Sequence, residues 1–341
     1  MSKKNIILGI ESSCDDTSAA IISNGFILSN IVANQKVHEK YGGVVPELAS
    51  RAHQQNIIPV VDTAIKEAGI QKEDLSAICF TQGPGLLGSL LVGSSFAKSF
   101  ALGMDIPLIA VNHMQGHIMA HFIKEEGTEN RQPKFPFLCL TVSGGHTQIV
   151  LVKSVEDMTV IGETLDDAAG EAFDKSAKIL GLPYPGGPLI DKYGKDGDKL
   201  KFIFGKHKVG ELNFSYSGIK TSILRVIEKG IYENPNFIEE NLNDLCASIQ
   251  HTIVEILIKK IMKASKELGI NEIAIAGGVS ANSYLRNRLK ELQDKYNKQV
   301  FIPKFEYCTD NAAMIAISGY YKFLEGEFAD QSVTPKSRFA L

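Results

Sequence analysis

Residues 5–32, NIILGIESSCDDTSAAIISNGFILSNIV, hold three apolar segments separated by two turns, and this stretch decides the fold. Residues 5–10 and 19–23 are predicted strands on either side of a polar turn. Asn24-Gly25 is typical of a tight hairpin turn, and it leads into a third predicted strand at 26–32. The chain is therefore expected to open with three consecutive strands.

The same order of elements occurs a second time, about 130 residues later. Predicted strands at 135–140 and 147–152 flank the loop Thr141-Val142-Ser143-Gly144-Gly145-His146, and a third strand follows at 159–162. A pattern repeated at this distance predicts two related lobes rather than one long sheet.

Composition limits the class of protein. A chain of 341 residues with 44% hydrophobic and 22% charged residues is typical of a globular protein of about two domains. The first apolar run is too short for a secretory signal, and residues 85–102 are interrupted by serines, glycines and Lys98, so we expect a buried helix and no membrane span. Five scattered cysteines indicate reduced thiols in the cytoplasm. The net charge of -3 excludes a uniformly basic nucleic-acid binder.

Two histidines stand four residues apart in IAVNHMQGHIMAH, residues 109–121. If the segment after Val111 is helical, His113 and His117 lie on one face and can bind one cation. Such pairs usually add a carboxylate from elsewhere in the chain and leave a position open for water or substrate. The alternative from spacing alone is that the histidines only cap a half-buried helix. His121, one turn further on, is interpreted as a polar flank.

Three loops have residues suited to phosphate or nucleotide chemistry. Ser143-Gly144-Gly145 offers backbone amides to an anion, and the residues GGVSAN at 277–282 allow a flat base to approach the backbone. Asp15 and Asp16 follow the first strand and are suited to orienting a metal or a nucleophile, although acidic turns often serve only as solvated loops.

Residues 191–230 form the one basic region: nine Lys/Arg face five Asp/Glu. Four aromatic residues are interleaved with these charges, namely Phe202, Phe204, Phe214 and Tyr216. Cations for phosphates and rings for stacking would suit RNA, while a solvated loop is the equal alternative.

Taken together, seven motifs resemble the universal tRNA threonylcarbamoyladenosine synthesis proteins, formerly called glycoprotease-like. The resemblance covers nearly the whole chain. The Ser-Ser-Cys-Asp-Asp form of the first loop is similar to the bacterial and organellar branch. The motifs are GIESSCDDT (9–17), VPELASR (45–51), NHMQGH (112–117), VSGGHT (142–147), FSYSG (214–218), AGGVSAN (276–282) and TDNA (309–312).

The resemblance implies an α/β, two-lobed, actin-like and sugar-kinase-like ATPase fold with duplicated RNase H-like lobes, a cleft and helical insertions. We accordingly expect an N-terminal lobe at residues 1–133, with a helical insertion at about 35–75, completed by the C-terminal helix in 311–341. The second lobe is expected at 134–310.

The implied activity is transfer of a threonylcarbamoyl group from threonylcarbamoyl-AMP to N6 of the adenosine next to the anticodon, in tRNAs that read codons starting with A. The family pattern implies His113, His117 and Asp310 as ligands of one divalent metal, with Fe²⁺ favoured and Zn²⁺ possible. Asp15 or Asp16 is our hypothesis for the proton acceptor. The positions that match the family's adenylate site are Thr141, Val142, Ser143, Gly144, Gly145, Asp174, Gly187, Asp191 and Asn282.

The same resemblance implies two protein partners, a paralogous lobe protein and a small ATPase, and the long helix from Pro46 is our candidate docking face. The sequence leaves three alternative functions. A metalloprotease is disfavoured because Met114 stands where a His-Glu-x-x-His enzyme has its glutamate. A small-molecule kinase of the same fold would not need the histidine pair, and a non-catalytic nucleotide-binding module would not need the metal.

Overall fold

The computed structural model describes residues 4–35, 38, 41, 43–205 and 209–341. Its strands are β1 Ile6–Glu11, β2 Thr17–Ser23, β3 Phe26–Ala33, β4 Ala77–Gly83, β5 Leu108–Asn112, β6 Phe137–Val142, β7 Thr147–Val152, β8 Met158–Glu163, β9 Glu272–Ala276 and β10 Gln299–Phe301. Its α-helices are α1 Pro46–Glu67, α2 Leu87–Met104, α3 His113–Met119, α4 Ala169–Ile179, α5 Gly186–Tyr193, α6 Ser217–Glu233, α7 Phe237–Leu268, α8 Ser283–Tyr296 and α9 Ala312–Glu325.

The strands form two five-stranded sheets of the same topology. The first has the order β3-β2-β1-β4-β5, and the second, written in the matching direction, has the order β8-β7-β6-β9-β10. In each sheet the first three strands along the chain pair antiparallel, and the first of them also pairs parallel with the fourth. The two-lobed α/β fold predicted from the repeated strand pattern is thereby confirmed.

The first sheet is covered on both faces because successive side chains of a strand point to opposite sides. Ile6, Leu8 and Ile10 of β1 join the apolar cluster that α1 and α2 cover. Gly9, on the other face, lies against α9 so closely that an added Cβ would be 2.6 Å from the Ala312 carbonyl oxygen. The absence of a side chain at Gly9 is what lets α9 pack directly on β1.

The second sheet packs in the same way against long helices. Leu138, Leu140 and Val142 of β6 lie in one buried cluster with residues of α4, α6, α7 and α8. Ile249, Ile253 and Leu257 of α7 belong to the same cluster and are fully buried. This packing holds the carboxyl end of β6, where the Ser-Gly-Gly loop begins, against the start of α4.

Contacts between residues divide the chain into two compact units. The first contains residues up to Gln132 together with Pro303–Leu341, and the second is Pro133–Ile302. Residues 303–310, which the sequence analysis placed in the second lobe, therefore lie in the first. The reason is that the segment leads directly into α9, whose contacts are with β1 and its neighbours. Within the expected insertion at 35–75, residues 36, 37, 39, 40 and 42 lie outside the described residues.

The basic region contains a helix that the sequence analysis missed. Ser217–Glu233 forms α6, with Ile219, Ile223 and Ile227 on its buried face. Phe204, Phe214 and Tyr216 are at most 2% exposed and belong to the core. The interpretation that these rings stack on RNA is thus wrong for three of the four. Lys206, His207 and Lys208 of this region lie outside the described residues.

The helix α2 is long and apolar enough to cross a membrane, but a helix from a protein core can also meet these two criteria. Only 33% of its 18-residue stretch is buried. The inner face of α2 packs against α1 and β4, while Leu87, Leu91 and Leu102 are exposed. The expectation of a buried helix therefore describes one face of α2 only.

Candidate functional site

The parallel strands of the first unit end at one edge of the sheet, where polar side chains collect. β1 ends at Glu11 and continues into the Ser12–Asp16 loop, while β5 ends at Asn112 and α3 follows at once. The Asn112 side chain accepts hydrogen bonds from the backbone N–H groups of Met114 and Gln115, and so caps α3. The first turn of α3 is thereby fixed, and with it His113.

His113, His117 and Asp310 come together at this edge. The Nε2 atoms of the two imidazoles lie 3.5 Å and 3.2 Å from Oδ1 of Asp310. One ligand atom from each residue can be chosen so that all lie within 4.8 Å of one another. Asp310 is held there by Asn311, whose side chain caps α9 by accepting from the Met314 N–H. The structure thus brings together the three residues expected as metal ligands.

His117 is 1% exposed, and its Nδ1 has no hydrogen-bond partner among the residues that the structure describes. Its Nε2 lies 3.2 Å from Oδ1 of Asp310 and pairs with that carboxylate. A buried polar atom without a partner normally destabilises a protein, and coordination of a cation would satisfy it. Two imidazoles, a carboxylate and open positions are a donor set that suits iron or zinc.

The charges of the cluster reinforce one another. Burial acts to lower the pKa of His113, but Asp310 and Glu11 outweigh it, so the pKa lies well above its ordinary value. Burial acts to raise the pKa of Asp310, but the charge of His113 prevails, and the pKa lies well below its ordinary value. Without a metal the cluster therefore holds an imidazolium between two carboxylates, and a dication would take the place of a proton on Nε2.

Asp15 and Asp16 lie in the loop after β1 and are half-buried. Burial, and then the nearby negative charges of Asp15, Asp310 and Glu11, raises the pKa of Asp16 to about 7. The backbone of this loop is fixed by α1 and α2, because His53 Nε2 and Ser89 Oγ both donate to the Cys14 carbonyl oxygen. The loop is consequently a rigid support for its carboxylates.

The second unit contains a cavity of about 280 Å³ at the carboxyl ends of β6 and β9. Five of the nine residues expected to bind the adenylate line it: Gly144, Asp174, Gly187, Asp191 and Asn282. Thr141 and Val142 are fully buried beneath the loop at the end of β6, and Ser143 and Gly145 belong to that loop. Phe173, Pro185 and Pro188 also line the cavity, but they were not predicted because apolar side chains leave no polar motif in the sequence.

The carboxylates of this cavity already have backbone partners. Asp174 accepts from the N–H groups of Gly186 and Gly187 at 2.8 and 3.1 Å, and so caps α5. Asp191 accepts from the N–H and the hydroxyl of Ser283 at the start of α8. Burial raises the pKa of Asp174 above its ordinary value, with the glycine N–H groups opposing the shift. Both carboxylates are therefore held rigidly at the cavity wall.

Solved structures of similar fold agree with the duplicated sheets. Full-length HypF in its phosphate- and nucleotide-bound form matches with a TM-score of 0.62 at 14% identity, over 96% of this chain and 48% of HypF. Component A of (R)-2-hydroxyglutaryl-CoA dehydratase from Acidaminococcus fermentans matches with a TM-score of 0.52 at 15% identity, over 94% and 99% of the two chains. The architecture is that of the actin-like ATPase fold class.

The chain belongs to the tRNA N6-adenosine threonylcarbamoyltransferase family, whose model matches residues 26–317. The protein of that name from Christiangramia forsetii is 64% identical over 333 residues, which are 98% of this chain and 97% of the relative. The predicted function, an acyltransferase of a family that acts on tRNA, is thereby confirmed, and the protease and kinase alternatives gain no support. Family and cluster together indicate a metal without identifying it.

Proposed function

We propose that this protein transfers the threonylcarbamoyl group of threonylcarbamoyl-AMP to N6 of the adenosine next to the anticodon, in tRNAs that read codons starting with A. A bond forms between N6 and the carbonyl carbon, and the bond from that carbon to the phosphate oxygen breaks. AMP leaves with the electron pair of that bond, and N6 loses one proton. Because the mixed anhydride is already activated, the protein has to position it and exclude water.

His113, His117 and Asp310 are the proposed ligands of one divalent metal, with Fe²⁺ favoured and Zn²⁺ the alternative. The observation that supports this proposal is the convergence of His113, His117 and Asp310, whose ligand atoms lie within 4.8 Å of one another, with His117 buried and its Nε2 3.2 Å from the carboxylate. When bound, the metal would supply Lewis-acid stabilisation of charge on the attacked carbonyl and the phosphate. His121 lies outside the cluster, as expected of a polar flank.

The cavity of the second unit is the proposed adenylate site, with Thr141, Val142, Ser143, Gly144, Gly145, Asp174, Gly187, Asp191 and Asn282 as its residues. Its volume of about 280 Å³ is close to the lower end of small-molecule sites, about 300–1,000 Å³. The glycines let a flat base and a phosphate approach the backbone. In this proposal the carboxylates of Asp174 and Asp191 would accept hydrogen bonds from ribose hydroxyls.

Asp15 and Asp16 are the candidates for accepting the N6 proton, and Asp16 suits the task better. A general base is most effective when its pKa lies near the working pH, and the pKa of Asp16 is raised to about 7. The rigid backbone of the loop would keep the carboxylate in one position during the transfer.

We further propose that the protein acts in the cytoplasm with a paralogous lobe protein and a small ATPase. The outer face of α1 and α2 is the candidate docking surface for the lobe protein. Ile58 on α1 is 65% exposed, and Leu87, Leu91 and Leu102 are exposed on α2. A cavity of about 910 Å³ with Phe96 and Phe100 in its lining lies between the two helices. Exposed apolar patches of this kind mark protein interfaces.

The test combines the purified protein and its proposed partners with threonylcarbamoyl-AMP and unmodified tRNA, and measures modified adenosine by mass spectrometry of nucleosides. His117→Ala and Asp310→Ala are expected to lower transfer by about 100-fold or more, since metal ligation needs every ligand. His121→Ala is the matched control and should transfer like the unaltered protein. Unchanged transfer by both ligand variants would refute the metal proposal.

A further inference from the structure

Glu11 is a buried carboxylate that lies within the motif GIESSCDDT but has no role in the proposed mechanism. It is the last residue of β1 and is fully buried. Among the described residues its side chain contacts Ser13, Thr81 and His113, and none of these is a Lys or an Arg. Because burying an ionised carboxylate costs several kcal/mol, a group of this kind needs compensating donors and usually marks a function.

Three donors converge on the two oxygens of Glu11. Oε1 accepts from the Ser13 backbone N–H at 2.5 Å, and Oε2 accepts from the Thr81 hydroxyl at 2.5 Å. Oε2 also lies 3.1 Å from Nδ1 of His113. The first two donors fix the carboxylate, so its contact with His113 has a defined direction.

The contact decides which nitrogen of His113 carries a proton. An ionised carboxylate can only accept, so Nδ1 must donate to it. In the neutral imidazole the lone pair then lies on Nε2, the nitrogen that is 3.5 Å from Asp310 Oδ1. Ring nitrogens of metal-bound histidines are commonly oriented by such a carboxylate on the opposite side.

We propose that Glu11 is a positioning residue that holds His113 in the Nδ1–H tautomer and aims Nε2 at the metal. The inference rests on the proposed metal site and adds to it. Glu11 and Asp310 together supply two negative charges, which a divalent cation would balance. The Nδ1 of His117 has no such carboxylate partner among the described residues.

Glu11→Gln tests this role because glutamine has the same shape but a single oxygen. If that oxygen faces Thr81 and His113, the new NH₂ group faces the Ser13 N–H, donor against donor. If the amide turns round, its NH₂ group faces Nδ1 of His113 and favours the wrong tautomer. Either arrangement weakens the site.

The measurement is Zn²⁺ affinity of the full chain at fixed pH, by competition with a chromophoric chelator. We expect Glu11→Gln to weaken binding by about 10–100-fold, the usual effect of removing a partner of a metal-bound histidine. Glu267→Gln changes an exposed carboxylate of α7 in the same way and should bind like the unaltered protein. Equal affinity of Glu11→Gln and the unaltered protein would overturn the proposal, as would an equal loss in Glu267→Gln.

Two further measurements separate the possible failures. His117→Ala must lose Zn²⁺ binding; if it binds as tightly as the unaltered protein, the metal site itself is wrong. Nitrogen-15 NMR of the unaltered, Zn²⁺-loaded protein reads the tautomer without any variant, and we expect a proton on Nδ1 of His113 and the metal on Nε2. A metal on Nδ1 would contradict the role of Glu11 even if Glu11→Gln failed to fold.

Discussion

At the scale of single residues, the proposed chemistry of the first unit depends on two buried imidazoles and a carboxylate. His117 is 1% exposed and pairs with Asp310 through Nε2 only, whereas His53, also buried, bonds through both nitrogens, to Thr17 and to the Cys14 carbonyl. The proposed metal site would make use of this difference, because His53 completes the fold and His117 is a proposed ligand. A bound cation should therefore act as a stabilising group.

Zn²⁺ binding should stabilise the folded protein, and this stabilisation should require the proposed ligand His117. A ligand at 100 times its dissociation constant stabilises the native state by about 2.7 kcal/mol, so Zn²⁺ should raise the apparent unfolding temperature of the unaltered protein. His117→Ala should show no such rise, and His121→Ala should keep it. Scanning fluorimetry across a Zn²⁺ titration measures all three, and an equal rise in His117→Ala would count against the site.

The carboxylate of Asp16 should make stability depend on pH. Its pKa is raised to about 7 in the fold by burial and nearby negative charge, against an ordinary value of 3.8. Between these values the native state holds a proton that the unfolded state lacks, so stability falls as the pH rises from about 4 to 7. Asp16→Asn removes the titrating carboxyl group and therefore this loss of stability.

In metal-free protein, Asp16→Asn should therefore gain stability over the unaltered chain at pH 8, by on the order of 1–3 kcal/mol, and gain much less at pH 5. Urea unfolding at the two pH values is the measurement. Asp62→Asn, whose side chain is 57% exposed, is the control and should change stability little. The same gain at both pH values would show that Asp16 is not held in its neutral form.

At the scale of elements, the position of Asp310 depends on how closely α9 lies on β1. An added Cβ at Gly9 would be 2.6 Å from the Ala312 carbonyl oxygen and 2.7 Å from the Ala316 Cβ. Both are parts of a packed helix and cannot move away easily. The spacing between the Glu11 end of β1 and the Asp310 end of α9 is thus set by a glycine.

Gly9→Ala should destabilise the protein by about 1–3 kcal/mol, the usual cost of overpacking, and should weaken Zn²⁺ binding by displacing α9. Gly103→Ala is the matched control, because nothing lies within 4 Å of its added Cβ in α2 and helical alanine stabilises by about 0.4–1 kcal/mol. Urea unfolding and chelator competition measure the two effects. A neutral Gly9→Ala would mean that α9 does not set the site.

At this scale, α6 is an element that the sequence pattern did not predict. Ile219, Ile223 and Ile227 have the four-residue spacing of a buried helical face, but the lysines and aromatic residues around them suggested a nucleic-acid surface instead. The residue that caps α6 could not be predicted from the sequence either. Asp166, about fifty residues earlier, accepts hydrogen bonds from the backbone N–H groups of Tyr216 and Ser217. A local pattern contains no record of such a distant partner.

At the scale of the whole molecule, the duplicated fold was predictable because a strand, turn and strand leave local signals that repeat. The clustering of His113, His117 and Asp310 was predictable from the histidine spacing and the family pattern. The unit that contains Asp310 was not, because contact with α9 decides it. Glu11 was missed since its contact with His113 spans 102 residues, and a strand-ending glutamate carries no signal of burial.

Truncation of the chain after Ile302 should disrupt the first unit and leave the second unit folded. The second unit, Pro133–Ile302, is then complete, whereas the first lacks both Asp310 and α9. We expect this truncated chain to bind no Zn²⁺ and to expose the β1 amides to hydrogen exchange, while the β6 amides stay protected. Protection of β1 in the truncated chain would show that the first unit is stable without its last segment.

The discontinuity of the first unit has a consequence for biosynthesis. A ribosome adds the whole of Pro133–Ile302 before it adds Pro303–Leu341, the segment that closes the earlier unit. During that interval the two imidazoles have been made but their aspartate has not, so the nascent chain cannot hold a cation firmly. On the proposed metal site, loading would therefore be a late event of maturation, open only to chains that already include Asp310.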